Sequence, residues 1–559
     1  MCLNAKKFLW RLETMNKVRV LTKAVFTLAL LCSPLPANTQ TKFRSDDPLT
    51  QDPDRNPIPM PKYRGLSQIY DLVENTWFLR PKKNEDIPDA QNINTLGEVP
   101  DSSWFTNRMS RRVMSIEELV KGPDQLVESG QYRPWTLISV KTEGITPGFT
   151  VRNTRGDVFF VKFDPPGHPQ LSTSTEIIAT KFFYAFGYNV PQNYLTFLRR
   201  EDLEISPDAR ITDENGIVRP VVQQDLQKIF DRIYHMPDGR TPSLASLRLE
   251  GTSLGPFQYH GTRPDDGNDI FPHEHRRELR GLRLFSAWLN HDDSRSINTL
   301  DVYVGEAGKG YMKHHLIDFG SCLGSGSVKI QSRRAGNEYM LEFIPIFKAS
   351  ISLGIWDRSW RHVQYPDYPA IGRFESDFFQ PDAWRPEYPN PAFERMLPAD
   401  AFWAVRIIHR FSDEMVRAIV KTGKLQDLEA EDYLVQTLLK RRDKIIGHYL
   451  PLASPLDGFR IMQVGDSTSL KFVNLMIEAG ISESDHYEYE WYRFDNLTGV
   501  LTSLDLSAST DQTSIPIPRS SGSFLMVRIL SSSQKAGEQH KIDIYLRNQA
   551  NPLIVGIER

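Results

Sequence analysis

Three polar residues in the middle of the chain have the types and the spacing that phosphate chemistry needs. Asp293 and Asn298 stand five positions apart in a loop after a long helical pattern, and Asp318 follows twenty residues later at the end of a predicted hairpin strand. Transfer of a nucleotide's terminal phosphate requires a carboxylate to orient the attacking hydroxyl and hard oxygen ligands for Mg²⁺. Because the hairpin returns the chain to its starting point, the three side chains are predicted to share one site.

The sequence around these residues resembles a known catalytic pattern. Residues 291–298, HDDSRSIN, are similar to the H-R-D-x-x-x-x-N loop of the protein-kinase-like superfamily, with Asp292 in place of the arginine, and residues 318–320 match its D-F-G motif. The resemblance implies Asp293 as the base, with Asn298 and Asp318 as metal ligands. It is a resemblance to atypical members, such as spore-coat, secretory-pathway and toxin-type kinases. The only A-P-E-like stretch, WRPE at 384–387, lies too far along the chain to serve as that motif.

The preceding part of the chain contains residues that the same resemblance assigns to nucleotide binding. Lys162 stands on the third strand of a predicted meander and Glu176 in the next helix, where the superfamily places a phosphate-pairing lysine and its partner glutamate. Each also has a simpler interpretation: Lys162 as a surface lysine over apolar residues, Glu176 as the last residue of a capping box beginning at Thr173. Gly144 and Gly148 lie between the first two strands, in an anion-binding concavity or an ordinary hairpin turn.

Three other groups suggest different chemistry. The acidic loop 265–269, DDGND, has the composition of a metal site, although a solvated turn is the favoured interpretation. The HEH stretch at 273–275, together with His291 and Asp292, suggests a metallohydrolase, but its spacing matches no helical zinc pair. Cys322 follows the D-F-G motif closely and is either a reactive thiol or a small core residue, the second being favoured.

The elements predicted around these residues form an α+β fold with a two-lobed, protein-kinase-like core. Residues 131–200 contain the meander, a helix and a further strand, and are predicted to form the N-lobe. Residues 201–456 are polar at first and then strongly helical, and are assigned to the C-lobe. Residues 61–130 show short helical patterns and are predicted to pack on the core as an extension. Residues 457–559 alternate at period two in seven segments, which predicts a separate β-sandwich-like domain.

The first sixty residues have the composition of a targeting segment and a leader. Residues 1–37 combine a basic start, a short apolar run and small residues, which is the pattern of a secretory signal peptide. Leu31 is bulkier than the small residue usual before a lipoprotein acceptor, so cleavage is favoured over lipid anchoring at Cys32. Residues 38–60 are polar and rich in Pro and Asp, and are predicted to be disordered. We therefore expect a secreted or periplasmic bacterial protein with no stable membrane span after cleavage.

Composition excludes some classes of partner. The chain of 559 residues has a formal net charge of −3, with 40% hydrophobic and 25% charged residues. Such a balance is typical of a soluble globular protein and argues against a nucleic-acid partner, since those proteins carry a basic surplus. Removal of residues 1–37 would leave Cys322 alone, so no internal disulfide is expected.

The function that these patterns favour is ATP-dependent transfer of a phosphoryl group, with Mg²⁺ or Mn²⁺, to a hydroxyl of a protein, sugar or small-molecule acceptor. The main alternative is an exported pseudokinase that binds a partner or acts as a scaffold, because free ATP is scarce outside the cytoplasm. Transfer of a nucleotidyl group from the same site is a third possibility, and a metallohydrolase is a fourth. The acceptor, the oligomeric state and the role of the β domain stay open at the level of sequence.

Overall fold

The computed structural model describes residues 41–126, 132–140, 148–212, 217–341, 358–465, 467–532 and 540–559. The predicted signal peptide, residues 1–37, and Gly144 lie outside these described residues. No helix within the described ranges is long and apolar enough to cross a membrane.

A mixed seven-stranded sheet forms the first part of the fold. Its strands run in the order β4-β7-β3-β2-β1-β5-β6. They are β1 (Trp135–Val140), β2 (Gly148–Arg152), β3 (Val158–Phe163), β4 (Asn193–Leu198), β5 (Leu203–Thr212), β6 (Val218–Pro220) and β7 (Thr241–Leu247). The first three form the antiparallel meander that the alternating pattern predicts. Their inward side chains pack with those of a short helix into one apolar core.

The sheet extends well beyond the predicted lobe boundary at residue 200. Strand β7 lies between β3 and the edge strand β4, and β5 pairs in parallel with β1. The sequence pattern ends the N-lobe too early, because residues 201–272 are polar and show little alternation. In β7 the first five residues are all buried although three of them are Thr, Pro or Ser, since strands on both sides cover them.

Helices make up most of the second part, and most of them share one large apolar core. They are α1 (Gln68–Trp77), α2 (Ile116–Lys121), α3 (Leu171–Phe186), α4 (Gln223–Phe230), α5 (Arg277–Leu289), α6 (Pro398–His409), α7 (Asp413–Lys421), α8 (Leu428–Tyr449) and the short α9 (Leu475–Glu478). Between α5 and α6 lies a small sheet in which β10 (Tyr311–Leu316) pairs with β9 (Thr299–Val304), and β9 with β8 (Thr252–Ser253). Helix α3 contributes Phe182, Phe183 and Phe186 to the helical core and also contacts the seven-stranded sheet.

The C-terminal part consists mainly of strands, as its alternation predicts, with the short helix α9 among them. A three-stranded sheet contains β11 (Leu456–Val464), β12 (Ser467–Asn474) and β15 (Ser514–Pro516). A five-stranded sheet contains β13 (Tyr487–Phe494), β14 (Leu501–Thr510), β16 (Phe524–Ser531), β17 (His540–Arg547) and β18 (Leu553–Glu558). Buried residues from both sheets form one core, which is the packing of a β-sandwich.

Residues 41–60 differ from the disordered leader expected of residues 38–60. Phe43 is only 4% exposed, and its ring contacts those of Phe494, Phe524 and Tyr545 in the C-terminal sheet. Ile58 is buried in a second small cluster farther along the segment. The polar composition hid these two apolar anchors, and polar contacts such as that of Asp54 with Ser103 also hold the segment against the protein.

Candidate active site

Lys162 joins two acidic side chains that come from distant parts of the chain. It lies near the end of β3, where the strand register pairs it with Gly148 of β2. Its Nζ lies 3.2 Å from Oε2 of Glu176 and 2.8 Å from Oδ1 of Asp318. The structure thus brings together Lys162, Glu176 and Asp318, three residues that the sequence singled out. Gly148 has little room for a side chain, because a Cβ there would meet the carbonyl of Val161.

Helix α3 presents Glu176 from its second turn, so the alternative interpretation as a capping-box residue is wrong. The helix begins at Leu171, before the proposed cap at Thr173. Its N-terminus is capped by Asp164, which follows β3: one carboxylate oxygen accepts the backbone N–H groups of Ser172 and Thr173 at 2.8 and 2.9 Å. This cap fixes the start of α3 against the strand that carries Lys162.

Burial and charge oppose each other in this cluster. Burial alone would lower the pKa of the Lys162 ammonium, but the carboxylates of Asp318 and Glu176 raise it above its ordinary value. Burial raises the pKa of Glu176, and the nearby Lys162 opposes that shift. The lysine therefore keeps its positive charge at neutral pH, as a group that pairs with phosphate oxygens must.

The Asp318-Phe319-Gly320 segment is held in one conformation by its neighbours. Asp318 has a φ of +62°, which is uncommon for a residue other than glycine and recurs at functional sites. The ring of Phe319 stacks on Phe183 of α3 at 4.6 Å between centroids and lies 5.9 Å from His291. A Cβ on Gly320 would lie 3.3 Å from Oε2 of Glu176, so this position stays small.

The loop that carries Asp293 begins where α5 ends. Asn290 closes the helix in the left-handed conformation, with φ 51°, and Ser296–Asn298 form a turn of 3₁₀-helix. The side-chain amide of Asn298 donates to the carbonyl of Asp293 at 2.8 Å, while the carbonyl of Asn298 accepts the N–H of Ile317 at 3.0 Å. Asn298 therefore fastens the Asp293 loop to the residue before Asp318.

Two residues that sequence reasoning missed surround Asp293. The guanidinium of Arg295 forms an ion pair with the Asp293 carboxylate, and its Nη1 lies 2.8 Å from Oε2 of Glu387. Burial raises the pKa of Asp293 to about 6, while Arg295 opposes the shift. Glu387 belongs to the WRPE stretch, which lies too far along the chain to serve as an A-P-E motif. The sequence signal available for Arg295 was its position two residues after Asp293.

The other titratable groups near the loop are structural. Asp292 is half-buried, accepts a hydrogen bond from Gln331 at 2.7 Å, and has a pKa raised well above its ordinary value by burial. Burial lowers the pKa of His291 to about 4, so its ring is neutral. Cys322 is completely buried and burial raises its pKa, which fits the core residue favoured from the sequence and not a reactive thiol.

Asp318 and Asn298 carry oxygen atoms of the kind that could bind a hard divalent cation. Asp318 offers a carboxylate whose side chain is 42% exposed, and Asn298 offers an amide oxygen from the adjacent loop. Oxygen donors of this kind suit Mg²⁺, which binds to few protein groups and keeps water and phosphate as its other ligands. In the part of the chain that the structure describes, no group of three or more His, Cys, Asp and Glu side chains forms a self-contained metal site.

Comparison with known proteins leaves the family open. No protein-family model matches this chain. No curated protein matches it in sequence. A solved structure that is similar to it is the proinflammatory kinase CtkA of Helicobacter pylori, with 13% identity and a TM-score of 0.28, covering 56% of this chain and 95% of that chain. A likeness at that TM-score carries no argument, so the functional conclusion depends on the geometry of the site.

The rival metal sites have other roles. Nε2 of His273 lies 2.7 Å from Asp269, and Nδ1 of the same ring meets the carbonyl of Gln258, so neither nitrogen faces an open position. The ring of His275 contacts Arg280 at 2.7 Å. Asp269 is buried; burial would raise its pKa, but His273 and nearby arginine charge lower it. The acidic loop is thus a turn, as the sequence favours, with Asp265 exposed, but its last residue, Asp269, is buried in a charge network with His273 and Arg276.

Proposed function

We propose that the protein is an ATP-dependent phosphotransferase that moves a phosphoryl group to a hydroxyl of an acceptor, with Mg²⁺ or Mn²⁺. The observation that carries the proposal is the bridge from Lys162 to both Glu176 and Asp318, which are 14 and 156 positions away along the chain. This lysine–glutamate pair and a metal-binding aspartate beside it are the two parts that kinase-type phosphoryl transfer needs in place together.

The role proposed for each residue follows from its charge and its position in the site. Lys162 would pair with phosphate oxygens, and Glu176 holds the ammonium in that position. Asp318 and Asn298 would hold the metal ion, which neutralises charge on the phosphate oxygens when it is bound. Gly148, opposite Lys162 in the register, keeps the strand backbone close to where the phosphates would lie, and Gly144, outside the described residues, stays a prediction from the sequence.

Asp293 is suited to orient the acceptor. In the proposed step the acceptor hydroxyl gives its proton to the Asp293 carboxylate while its oxygen forms a bond to the terminal phosphorus. The bond from that phosphorus to the bridging oxygen breaks, and ADP leaves with the electron pair. A base is most effective when its pKa lies near the working pH. A pKa of about 6 leaves Asp293 ionised at neutral pH and still able to take a proton.

Two variants separate this enzyme from a pseudokinase. Asp318→Ala should abolish Mg²⁺-dependent ATP binding and turnover together, because the metal-binding carboxylate and a partner of Lys162 are lost. Asp293→Ala should leave ATP binding nearly intact and lower turnover by roughly two to four orders of magnitude, the usual effect of losing a general base. Asp443→Ala, a helix aspartate with a 63% exposed side chain, is the matched control and should change neither.

Binding is measured by thermal shift with ATP and Mg²⁺ or Mn²⁺, and turnover by ADP release and by mass spectrometry of the protein itself as acceptor. At a hundred times Kd, bound ATP should stabilise the fold by about 2.7 kcal/mol. Binding that is lost in Asp318→Ala, with no turnover in any variant, would indicate a pseudokinase. If both aspartate variants bind ATP and transfer phosphate like the wild type, the assignment of this site is wrong.

A further inference from the structure

Helix α1, in the N-terminal extension, packs with its polar side inward. Its buried residues are Asp71, Asn75 and Thr76, whereas Ile69 and Tyr70 are 73% and 76% exposed. A surface helix normally turns its apolar face to the core. Polar contacts must therefore decide how α1 sits on the protein, and Asp71 makes the best defined of them.

The carboxylate of Asp71 accepts hydrogen bonds from two hydroxyl groups in the region of the candidate active site. Oδ1 accepts a hydrogen bond from Oγ of Ser296 at 2.9 Å, and Oδ2 accepts one from the hydroxyl of Tyr388 at 2.5 Å. Ser296 lies within the loop between Asp293 and Asn298. Hydrogen bonds to an ionised acceptor are short and strong, and a buried carboxylate depends on them.

Both hydroxyls belong to segments that position Arg295. Ser296 is its neighbour in the chain, and Tyr388 is the neighbour of Glu387, which forms an ion pair with Arg295 at 2.8 Å. The N–H of Glu387 also donates to the carbonyl of Asp292 at 2.7 Å. Asp71 thus ties together the two segments that hold the Arg295 guanidinium against Asp293.

We propose that Asp71 is a positioning residue for the Asp293–Arg295 pair, so that the N-terminal extension is part of the active site. The effect of Asp71 on catalysis rests on the proposed phosphotransferase function, whereas its effect on the structure of the two segments does not. The tyrosine responds to the same contact: burial and the Asp71 carboxylate both raise the pKa of Tyr388, which keeps its hydroxyl protonated as a donor. Ser296 and Tyr388, which donate to the Asp71 carboxylate, lie outside the Lys162 cluster, so loss of Asp71 should affect ATP binding much less than turnover.

The test compares Asp71→Ala and Asp71→Asn with Glu74→Gln, a control one turn along the same helix with a 44% exposed side chain. Asp71→Ala should lower kcat by about 10- to 100-fold, the effect of a small misplacement of reacting groups. KM for ATP and the ATP thermal shift should change much less than kcat. Asp71→Asn, which keeps the shape and one acceptor oxygen, should recover part of kcat, and the control should behave as wild type.

Hydrogen–deuterium exchange provides a readout that needs no activity. Exchange in peptides covering 290–298 and 384–392 should rise in Asp71→Ala and not in the control, because both segments lose their common anchor. A Ser296→Ala, Tyr388→Phe double variant should reproduce the kinetic loss, and adding Asp71→Ala should cost little more. Unchanged exchange in both peptides, or a loss of ATP binding equal to the loss of kcat, would overturn the proposal. A wild type without phosphate transfer would refute the proposed function, while the exchange experiment still decides the role of Asp71.

Discussion

Replacing Arg295 with Gln should move the acid limb of the pH–rate profile toward higher pH. Burial raises the pKa of Asp293 to about 6, and Arg295 is the first of the groups that oppose this shift. An opposite charge within hydrogen-bonding distance lowers a carboxyl pKa by about one to three units. Without the guanidinium, the pKa of Asp293 should therefore rise from about 6 to roughly 7–9.

The size of the effect follows from the fraction of Asp293 that is ionised. A protonated carboxyl cannot accept the proton of the acceptor, so activity is lost as the pH falls through the pKa. With a pKa of about 6, roughly nine tenths of Asp293 is ionised at pH 7, whereas with a pKa of about 8 only about a tenth is. The variant should thus lose about tenfold in kcat/KM at neutral pH and recover most of it near pH 9.

The assay measures kcat/KM for ATP, from the rate of ADP release, between acid and alkaline pH. It compares the wild type with Arg295→Gln and Arg295→Lys. The lysine variant retains a positive charge beside Asp293 and should keep an acid limb close to that of the wild type. An acid limb that does not move in Arg295→Gln would refute the electrostatic reasoning. A loss of equal size at every pH would refute it too, and would mean that Arg295 acts on the substrate and not through Asp293.

Two further predictions concern packing. Gly320→Ala places a Cβ 3.1 Å from Oγ of Ser172 and 3.3 Å from Oε2 of Glu176, so it should displace the glutamate and weaken ATP binding in the thermal-shift assay; unchanged binding would show that this segment adapts. Phe43→Ala empties a buried site among three aromatic rings and should lower the free energy of unfolding by about 3–5 kcal/mol in urea titrations. Leu428→Ala, at a 75% exposed position, is its control.

The sequence predicted those parts of the site whose partners are near in the chain or whose pattern is regular. The β1–β3 meander alternates clearly, so Lys162 could be assigned to its third strand. The loop after α5 and the β9–β10 hairpin are also local, which is why Asp293, Asn298 and Asp318 were found together. In each case short-range periodicity carries the information.

The parts that were missed depend on contacts that no local pattern encodes. Strand β7 is stabilised by neighbours on both sides, and its Pro, Ser and Ala residues weaken its strand signature. Glu387 meets Arg295 across a stretch of irregular, aromatic-rich chain. Asp71 lies on a helix whose exposed side is the apolar one, so a periodicity argument orients that helix the wrong way round. Tertiary contacts decided each of these positions against the local sequence signal.

The contact of Phe43 with the C-terminal sheet has a consequence for the order of folding. Phe43 and Asn496 exchange two hydrogen bonds, each 2.8 Å long, although 453 positions separate them. At a synthesis rate of about 5–20 residues per second, Phe43 would wait roughly 25–90 s for that partner to be made. Phe43 thus completes a domain whose strands are made much later, so this part of the fold cannot form until β13, β16 and β17 have been synthesised. A chain interrupted before β13 would keep an aromatic residue exposed and available to associate with other unfinished chains.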